Sequence, residues 1–255
     1  MSSISSVGSS YNSYSSLYTS LSSGKKINSA ADGAAESAII QKETTEINAL
    51  NVGSSNISQG KDALNIASGA LNNVTDYLQS IRELAVQAGN GTLTADDKEA
   101  IQAQIDQYKS GIKDIVSNTN YNTKNLLDGS TGSMSIATGT GTVGVSLTDK
   151  SLYDALGIDD FDVTGKFDIK TIDNAIKTVN KLNGSTGSSM NALQYAYESN
   201  QNAAYNLTSA LSRTEDTDYA EAISEMKKQN VLQQYRIFAQ KKQAEQEQNT
   251  INTLF

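Results

Sequence analysis

Apolar residues recur along most of this chain in the alternating three- and four-residue steps of a coiled-coil heptad. Such spacing predicts amphipathic helices that each bury one narrow stripe. The first run, which we call the N-terminal stripe, comprises Ile4, Val7, Tyr11, Tyr14, Tyr18 and Leu21. A helix cannot bury its own stripe, so this segment needs a helical partner.

Two further runs predict the next helices. A helix over residues 47–88 is indicated by Leu64, Ala67, Leu71, Val74, Leu78, Ile81, Ala85 and Ala88. After the glycine-rich break at residues 89–92, Thr94 followed three residues later by Asp97 is typical of a helix N-cap. We therefore expect a helix over residues 95–117, with a stripe made by Ile101, Ile105, Tyr108, Ile112 and Ile115.

The segment NGSTGSS, which starts at Asn183, has the composition of a flexible linker. The heptad register nevertheless continues across it without interruption, from Ile172 to Leu211. Since a linker has no reason to keep register, we predict one helix over Phe167–Ser212, roughly 65–70 Å long. The alternative is two helices joined by a loop at the glycines, each of which weakens a helix by about 1 kcal/mol relative to Ala.

Residues 128–166 are rich in Gly, Ser and Thr and carry the one clear β signal of the chain. Short alternating runs at Met134–Ile136 and Val143–Leu147 flank the sequence TGTGT, which predicts a small β-hairpin with a glycine turn. GTGTVG, from Gly139, matches a phosphate-binding loop by letters alone. It neither follows a proper strand nor opens a helix, so we interpret it as the hairpin turn.

The end of the chain resumes a helical pattern that is poorer in apolar residues and rich in Gln. We define its C-terminal stripe as Ile237, Ala244, Ile251, Leu254 and Phe255. The predicted fold is mainly α: an elongated coiled-coil-like helical bundle with a small β-hairpin region and paired N- and C-terminal helices.

The amino-acid composition excludes several classes of enzyme for this chain. None of the 255 residues is His, Cys, Trp or Pro, so histidine-based catalysis, zinc binding and disulfides are excluded, and long uninterrupted helices are permitted. The net charge of −8 argues against nucleic acid as a partner. No apolar run is long enough for membrane insertion, and the first residues lack the pattern of a signal peptide. We expect no catalysis, no cofactor and no metal.

One segment imitates a calcium loop. Asp160, Asp162, Thr164 and Gly165 resemble the first half of an EF-hand loop, but Thr171 occupies the position that requires a bidentate Glu. We interpret the segment as a polar turn before the next helix.

Five local motifs occur in order along the chain. They are SGKKINSAADGAAESAII (Ser23–Ile40), IRELAVQAGNGTLTADD (Ile81–Asp97), IQAQI from Ile101, NLTSALSRTEDTDYAEAISEMKKQNVLQQ (Asn206–Gln234) and a terminal INTLF. In this order and spacing they resemble the two terminal signature regions of bacterial flagellin, the subunit of the flagellar filament. The resemblance covers roughly residues 1–130 and 167–255.

The resemblance implies an architecture and a function. Residues 1–45 and 213–255 would form the inner filament-core domain, and residues 46–212 a helical bundle domain with its β-hairpin region at about 129–166. The short middle implies a minimal form without outer domains. The expected function is polymerisation into the filament used for motility, with the N- and C-terminal stripes as filament-core contacts. Two alternatives stay open: a hook–filament junction protein of the same export class, and an exported coiled-coil adhesin or ligand that does not polymerise.

The resemblance also implies partners and a location. The implied partners are further copies of the chain in an open helical polymer, hook-associated and cap proteins, and an export chaperone that binds Val231–Phe255. Export would pass through the flagellar type III channel to the extracellular filament.

A Toll-like receptor is a further implied partner. The resemblance implies that the receptor would bind a surface formed by Ile81, Arg82, Glu83, Leu84 and Gln87. The same residues would lie at a subunit interface of the filament. Ser80 and Gln104 depart from the receptor-active pattern, which commonly has Arg and often Glu at these positions, so weaker recognition is expected.

Overall fold

The computed structural model describes the backbone of residues 15–254 and the side chains of residues 15–250. Of the N-terminal stripe, Ile4, Val7, Tyr11 and Tyr14 lie outside the described residues. Phe255 also lies outside them, and the side chains of Ile251 and Leu254 are not described.

Long helices account for most of the described chain. The helices are α1 (15–23), α2 (Ala34–Ala88), α3 (Ala95–Asn118), α4 (Leu152–Leu156), α5 (Lys170–Glu215) and α6 (Tyr219–Leu254). The strands are β1 (Asn120–Tyr121), β2 (Lys124–Asn125), β3 (Ser133–Ala137) and β4 (Thr142–Ser146). The predicted mainly α fold is therefore confirmed.

The second helix begins earlier than the heptad pattern indicated, at Ala34 instead of residue 47. The sequence from Ala34 to Asn51 contains no Gly or Pro, and Glu36 lies in the first turn, where a negative charge favours a helix start. Its apolar residues are too sparse to form a heptad run, so the periodicity alone missed this part of α2.

The predicted N-cap of α3 is present as a complete capping box. Thr94 Oγ1 accepts a hydrogen bond from the Asp97 N–H at 3.2 Å, and the Asp97 carboxylate accepts one from the Thr94 N–H at 3.0 Å. The hydroxyl and the backbone N–H of Thr94 hold the pKa of Asp97 below its usual range. These local bonds explain why the start of α3 was predictable from two residues.

The predicted single helix across NGSTGSS is confirmed, since α5 runs unbroken from Lys170 to Glu215. Contacts with α2 support the weak segment. Ser68 Oγ donates to Asn183 Oδ1 at 2.9 Å, and Asn183 Nδ2 donates to Asn72 Oδ1 at 3.0 Å. Asn183, the first residue of the linker-like segment, thus forms a side-chain contact between the two helices.

Polar pairs fix α2 and α5 in antiparallel register. Lys61 Nζ donates to Gln194 Oε1 at 2.5 Å, near the middle of α2. Arg82 Nε donates to Asp173 Oδ1 at 2.8 Å, near the end of α2. The residue number rises from 61 to 82 on α2 while that of the partner falls from 194 to 173 on α5, so the two helices are antiparallel. They lie side by side over about six turns.

The apolar stripes predicted for α2 and α3 form the core around this pair. All eight predicted α2 positions from Leu64 to Ala88 are buried, and Ile101, Ile105 and Ile112 of α3 are buried with them. The short helix α4, which was not predicted, adds Leu152 and Leu156. Lys109 of α3 holds the chain after α4, because its Nζ donates to the carbonyl oxygen of Asp159 at 2.6 Å.

The predicted hairpin is present as the antiparallel pair β3–β4. A second strand pair, β1–β2, was not predicted. Its two-residue turn consists of Asn122 and Thr123, both with positive φ (47° and 65°), as a type I′ turn requires. The two strands have two residues each, too few to show alternation in the sequence.

The tip of the β3–β4 hairpin approaches the backbone of α2 closely. A Cβ at Gly53 would lie within 2.1 Å of the Thr138 carbonyl oxygen, so only glycine fits. The buried Asn200 of α5 completes this contact, because its Nδ2 donates to the same carbonyl oxygen at 2.7 Å. The hairpin is thereby attached to both long helices.

The described residues fall into two units. One comprises those up to Ile47 together with those from Tyr205 onward, and the other is Asn48–Ala204. The hairpins, α3, α4 and the core described above belong to the second unit. The domain boundaries expected from the sequence, after residues 45 and 212, stay predictions.

Two glycines in helix interiors are expected to respond to alanine with opposite signs. Gly53→Ala should destabilise the protein by about 1–3 kcal/mol, since the new Cβ meets backbone atoms of the hairpin tip. Gly184→Ala should stabilise it by about 0.5–1 kcal/mol, because no atom lies within 4 Å of the new Cβ. Urea unfolding of both variants measures the difference, and changes of the same sign would contradict this account of the contact.

Candidate assembly surface

In the first unit, two segments far apart in sequence meet through their backbones. The Lys26 N–H donates to the Glu215 carbonyl oxygen at 2.5 Å, and the Thr217 N–H donates to the Gly24 carbonyl oxygen at 2.9 Å. These two bonds form an antiparallel bridge that joins the α1–α2 connection to the α5–α6 connection. We call this contact the terminal junction.

Side chains reinforce the terminal junction. Lys25 Nζ lies 2.5 Å from Glu215 Oε1, and the Tyr219 hydroxyl donates to the Leu21 carbonyl oxygen at 3.2 Å. Because Lys25 is half exposed, the ion pair contributes at most about 1 kcal/mol. The bond from Tyr219 links the first turn of α6 to α1, which agrees with the predicted pairing of the terminal helices.

The chain between α1 and α2 folds around the carboxylate of Asp32. It accepts hydrogen bonds from the Ser29 N–H at 2.8 Å and the Asn28 N–H at 3.0 Å. These backbone bonds, that of Ser29 first, hold the pKa of Asp32 below its usual range. The negative charge, and with it the turn, therefore persists until the pH falls below the ordinary range of an aspartate.

The terminal junction brings together two of the five sequence motifs. The motif starting at Ser23 supplies Lys25, Lys26 and Asp32, and the motif starting at Asn206 supplies Glu215 and Tyr219. Lys25, Lys26, Glu215 and Tyr219 thus join the two connections, and Asp32 shapes the turn between α1 and α2.

Helix α6 turns its large apolar side chains towards solvent. Its buried or half-buried positions are mostly polar: Ala222, Glu225, Met226, Gln229, Asn230 and Gln233. Its exposed large apolar side chains are Tyr219, Ile223, Val231, Leu232, Tyr235, Ile237 and Phe238. Four of them share the side of the helix away from Gln229, and we call these the α6 apolar face: Ile223, Val231, Tyr235 and Phe238. Tyr235 is 74% exposed and Phe238 59% exposed, which is unusual for side chains of this size unless they meet a partner.

The predicted stripes do not include the residues of this surface. In the described part of the N-terminal stripe, Tyr18 is exposed and Leu21 is half-buried. In the C-terminal stripe, Ile237 and Ala244 are both exposed. Sequence reasoning missed Val231, Tyr235 and Phe238, although their steps of four and three are the usual helical signal.

The stretch Ile81–Gln87 lies on α2 in the second unit. Ile81 is fully buried in the core, Leu84 is half-buried, and Arg82, Glu83 and Gln87 are exposed. Arg82 is paired with Asp173, a partner that the sequence did not reveal. Any surface formed by this stretch consists mainly of Arg82, Glu83, Val86 and Gln87.

Within the described residues, no group of three or more Asp or Glu side chains is placed to hold a metal ion. In the calcium-like segment, the Asp162 carboxylate accepts bonds from the Thr164 hydroxyl and N–H, both at 2.7 Å. These bonds, the hydroxyl first, hold the pKa of Asp162 low and close a local turn. No helix in the described part of the chain is long and apolar enough to span a membrane.

Loss of the Asp32 carboxylate is expected to loosen the connection between α1 and α2. In Asp32→Ala, trypsin should cleave after Lys25 and Lys26 several-fold faster, because cleavage follows the population of the opened turn. Asp62→Ala, at an exposed position of α2, serves as the matched control. Equal cleavage rates in the two variants, followed by mass spectrometry, would contradict the role given to Asp32.

Comparison with known proteins identifies the family. The chain matches the family model of the bacterial flagellin N-terminal helical region over residues 1–131 and that of the C-terminal helical region over residues 169–254. The flagellar filament 33 kDa core protein of Treponema phagedenis is 32% identical over 240 residues, covering 84% of this chain and 82% of that protein. Flagellin of Bacillus subtilis is 32% identical over 255 residues, covering 84% of each chain.

Solved structures agree on the fold. The crystal structure of Bacillus cereus flagellin matches with a TM-score of 0.51 and 24% identity, covering 57% of this chain and 88% of that chain. A putative flagellar hook-associated protein of Vibrio parahaemolyticus matches with a TM-score of 0.61 and 16% identity, covering 72% and 100%. At these identities the two structures show a shared fold, whereas the two family models and the curated relatives decide the family: this chain belongs to the bacterial flagellins.

Proposed function

We propose that this chain polymerises with further copies of itself into the flagellar filament, and that the α6 apolar face is a principal contact between subunits. Membership of the flagellin family carries the first part, since flagellins are the structural subunits of the filament. The observation that carries the second part is the exposure of Val231, Tyr235 and Phe238 on one face of one helix.

Burial of apolar surface would stabilise this contact. Covering exposed apolar side chains contributes about 25 cal/mol for each Å² removed from water, and the α6 apolar face presents four such side chains. A contact that joins two different surfaces of the same subunit generates an open helical polymer when its rotation does not close a ring. A face of α6 that docks on another surface of the next subunit is such a contact.

The two stripes extend this proposal towards the chain ends. We place filament-core contacts at the N-terminal stripe (Ile4, Val7, Tyr11, Tyr14, Tyr18, Leu21) and the C-terminal stripe (Ile237, Ala244, Ile251, Leu254, Phe255). The exposure of Tyr18, Ile237 and Ala244 in the single chain supports this assignment. A second subunit contact is proposed at Arg82, Glu83 and Gln87, which are exposed on α2.

The further partners follow from family membership and exposure. Before polymerisation, an export chaperone would cover the segment Val231–Phe255, which contains most of the α6 apolar face. The assembled filament lies outside the cell after type III export, and hook-associated and cap proteins bind its ends. Arg82, Glu83 and Gln87 are accessible to a Toll-like receptor in the free subunit, with Ser80 and Gln104 reducing the fit.

Two other interpretations receive less support. The flagellins are a structural protein family, so no enzymatic reaction is proposed. A hook–filament junction protein is not favoured, because the matching hook-associated structure supports the fold alone while the named relatives over most of the chain are filament proteins.

The α6 contact is tested by seeded polymerisation of the full chain. The double substitution Tyr235→Ser, Phe238→Ser should raise the concentration needed for filament growth at least about tenfold, as removal of two central aromatic contacts does in other interfaces. The control is Gln240→Ser, an exposed change on the side of α6 opposite to Tyr235 and Phe238. Sedimentation and negative-stain microscopy measure the filaments, and circular dichroism checks that the helices are retained.

The two variants separate the possible results. Growth of the double variant at the wild-type concentration would show that the α6 apolar face is not a principal contact. An equal loss in Gln240→Ser would show that α6 tolerates no change at all, which also contradicts a contact confined to one face.

A further inference from the structure

The dipeptide Asn-Gly occurs twice in this chain, at Asn90–Gly91 and at Asn183–Gly184. In such a pair, the backbone nitrogen of glycine can attack the side-chain amide carbon of asparagine and close a five-membered ring. Glycine permits the attack because it has no Cβ to restrict the backbone or to shield the nitrogen. Whether the reaction occurs depends on whether the structure lets the two atoms approach.

At Asn90 the structure leaves this approach open. Asn90 and Gly91 are exposed in the turn between α2 and α3, and no atom lies within 4 Å of the position a Cβ would take at Gly91. Within the described chain, the Gly91 N–H donates no hydrogen bond. The nucleophile is therefore unhindered and is not held by a partner.

A neighbouring backbone group also activates the electrophile. The Thr92 N–H donates to Asn90 Oδ1 at 3.2 Å. When the ring closes, negative charge develops on this oxygen, and a donor already directed at it lowers the barrier. The same bond holds the side chain close to the peptide that attacks it, which is an advantage of proximity.

We propose that Asn90 is a site of spontaneous, self-directed modification in the folded subunit. The Gly91 nitrogen bonds to the Asn90 amide carbon and gives up its proton, and the side-chain nitrogen leaves with a proton as ammonia. Water then opens the resulting succinimide at either carbonyl, which yields aspartate or isoaspartate. No oxidant, reductant or enzyme is needed.

The second pair is an internal control. Asn183 lies inside α5, so the nitrogen of Gly184 is fixed in the helical backbone, and the Asn183 side chain is bonded to Ser68 and Asn72. Ring closure there requires local opening of the helix and loss of both side-chain bonds. The same dipeptide is therefore protected at one position and exposed at the other.

The modification changes the surface beside the end of α2. It replaces a neutral amide by a carboxylate two residues after Ala88, close to the carbonyl end of the helix dipole, where negative charge is unfavourable. The isoaspartate product also adds a methylene to the backbone of the short α2–α3 connection. Older subunits should thus carry an extra negative charge and an altered turn at this position.

The test is peptide mapping of the purified full-length chain after incubation at mildly alkaline pH. We expect the tryptic peptide that contains Asn90 to become one mass unit heavier at least about tenfold faster than the peptide that contains Asn183, with fragment ions locating the change at each residue. In denaturant the two rates should become comparable, since the difference comes from the fold. Isoaspartate at position 90 identifies the succinimide route.

Gly91→Ala is the matched variant, because its Cβ meets no neighbouring atom and the fold is expected to tolerate it. It should slow modification of Asn90 at least about tenfold, whereas Gly184→Ala should leave the Asn90 rate unchanged. Equal rates at Asn90 and Asn183 in the folded chain would overturn the proposal. So would a persistent difference in denaturant, or an unchanged Asn90 rate in Gly91→Ala.

Discussion

The stripe of α2 from Leu64 to Ala88 is buried along its whole length, and the other elements of the second unit pack around it. Apolar burial supplies the attraction but does not by itself fix how far one helix slides along another. The polar pairs between α2 and α5, Lys61 with Gln194 and Arg82 with Asp173, have partners only in one register. Weak as surface contacts, they specify the alignment on which the hairpin contact at Gly53 depends.

The first unit is held together by backbone hydrogen bonds more than by a buried apolar core. Its α1–α2 and α5–α6 connections are joined by backbone hydrogen bonds at the terminal junction, while the apolar side chains of α6 remain in solvent. A single subunit therefore pairs backbone groups there but leaves its large apolar side chains uncovered. This is the arrangement expected of a chain whose own fold is incomplete until a neighbour covers it.

Elements governed by local interactions could be predicted from the sequence. The capping box of α3 depends on two residues three apart, and the continuity of α5 follows from an unbroken register. The β3–β4 hairpin follows from alternation around a glycine turn. Elements without a local signal were missed: α4 is only five residues long, β1 and β2 have two residues each, and the first turns of α2 carry no regular stripe.

For the candidate surface, the sequence by itself determined that both terminal helices are amphipathic and need partners, because helical spacing is a property of the chain. Only the tertiary structure decided which side of α6 remains free. In the folded chain Ala222, Glu225 and Gln229 are buried or half-buried, whereas Val231, Tyr235 and Phe238 are exposed. In the second unit, the tertiary structure also buried Ile81 and paired Arg82 with a residue 91 positions away. Long-range contacts of this kind depend on how helices pack, which no short stretch of sequence encodes.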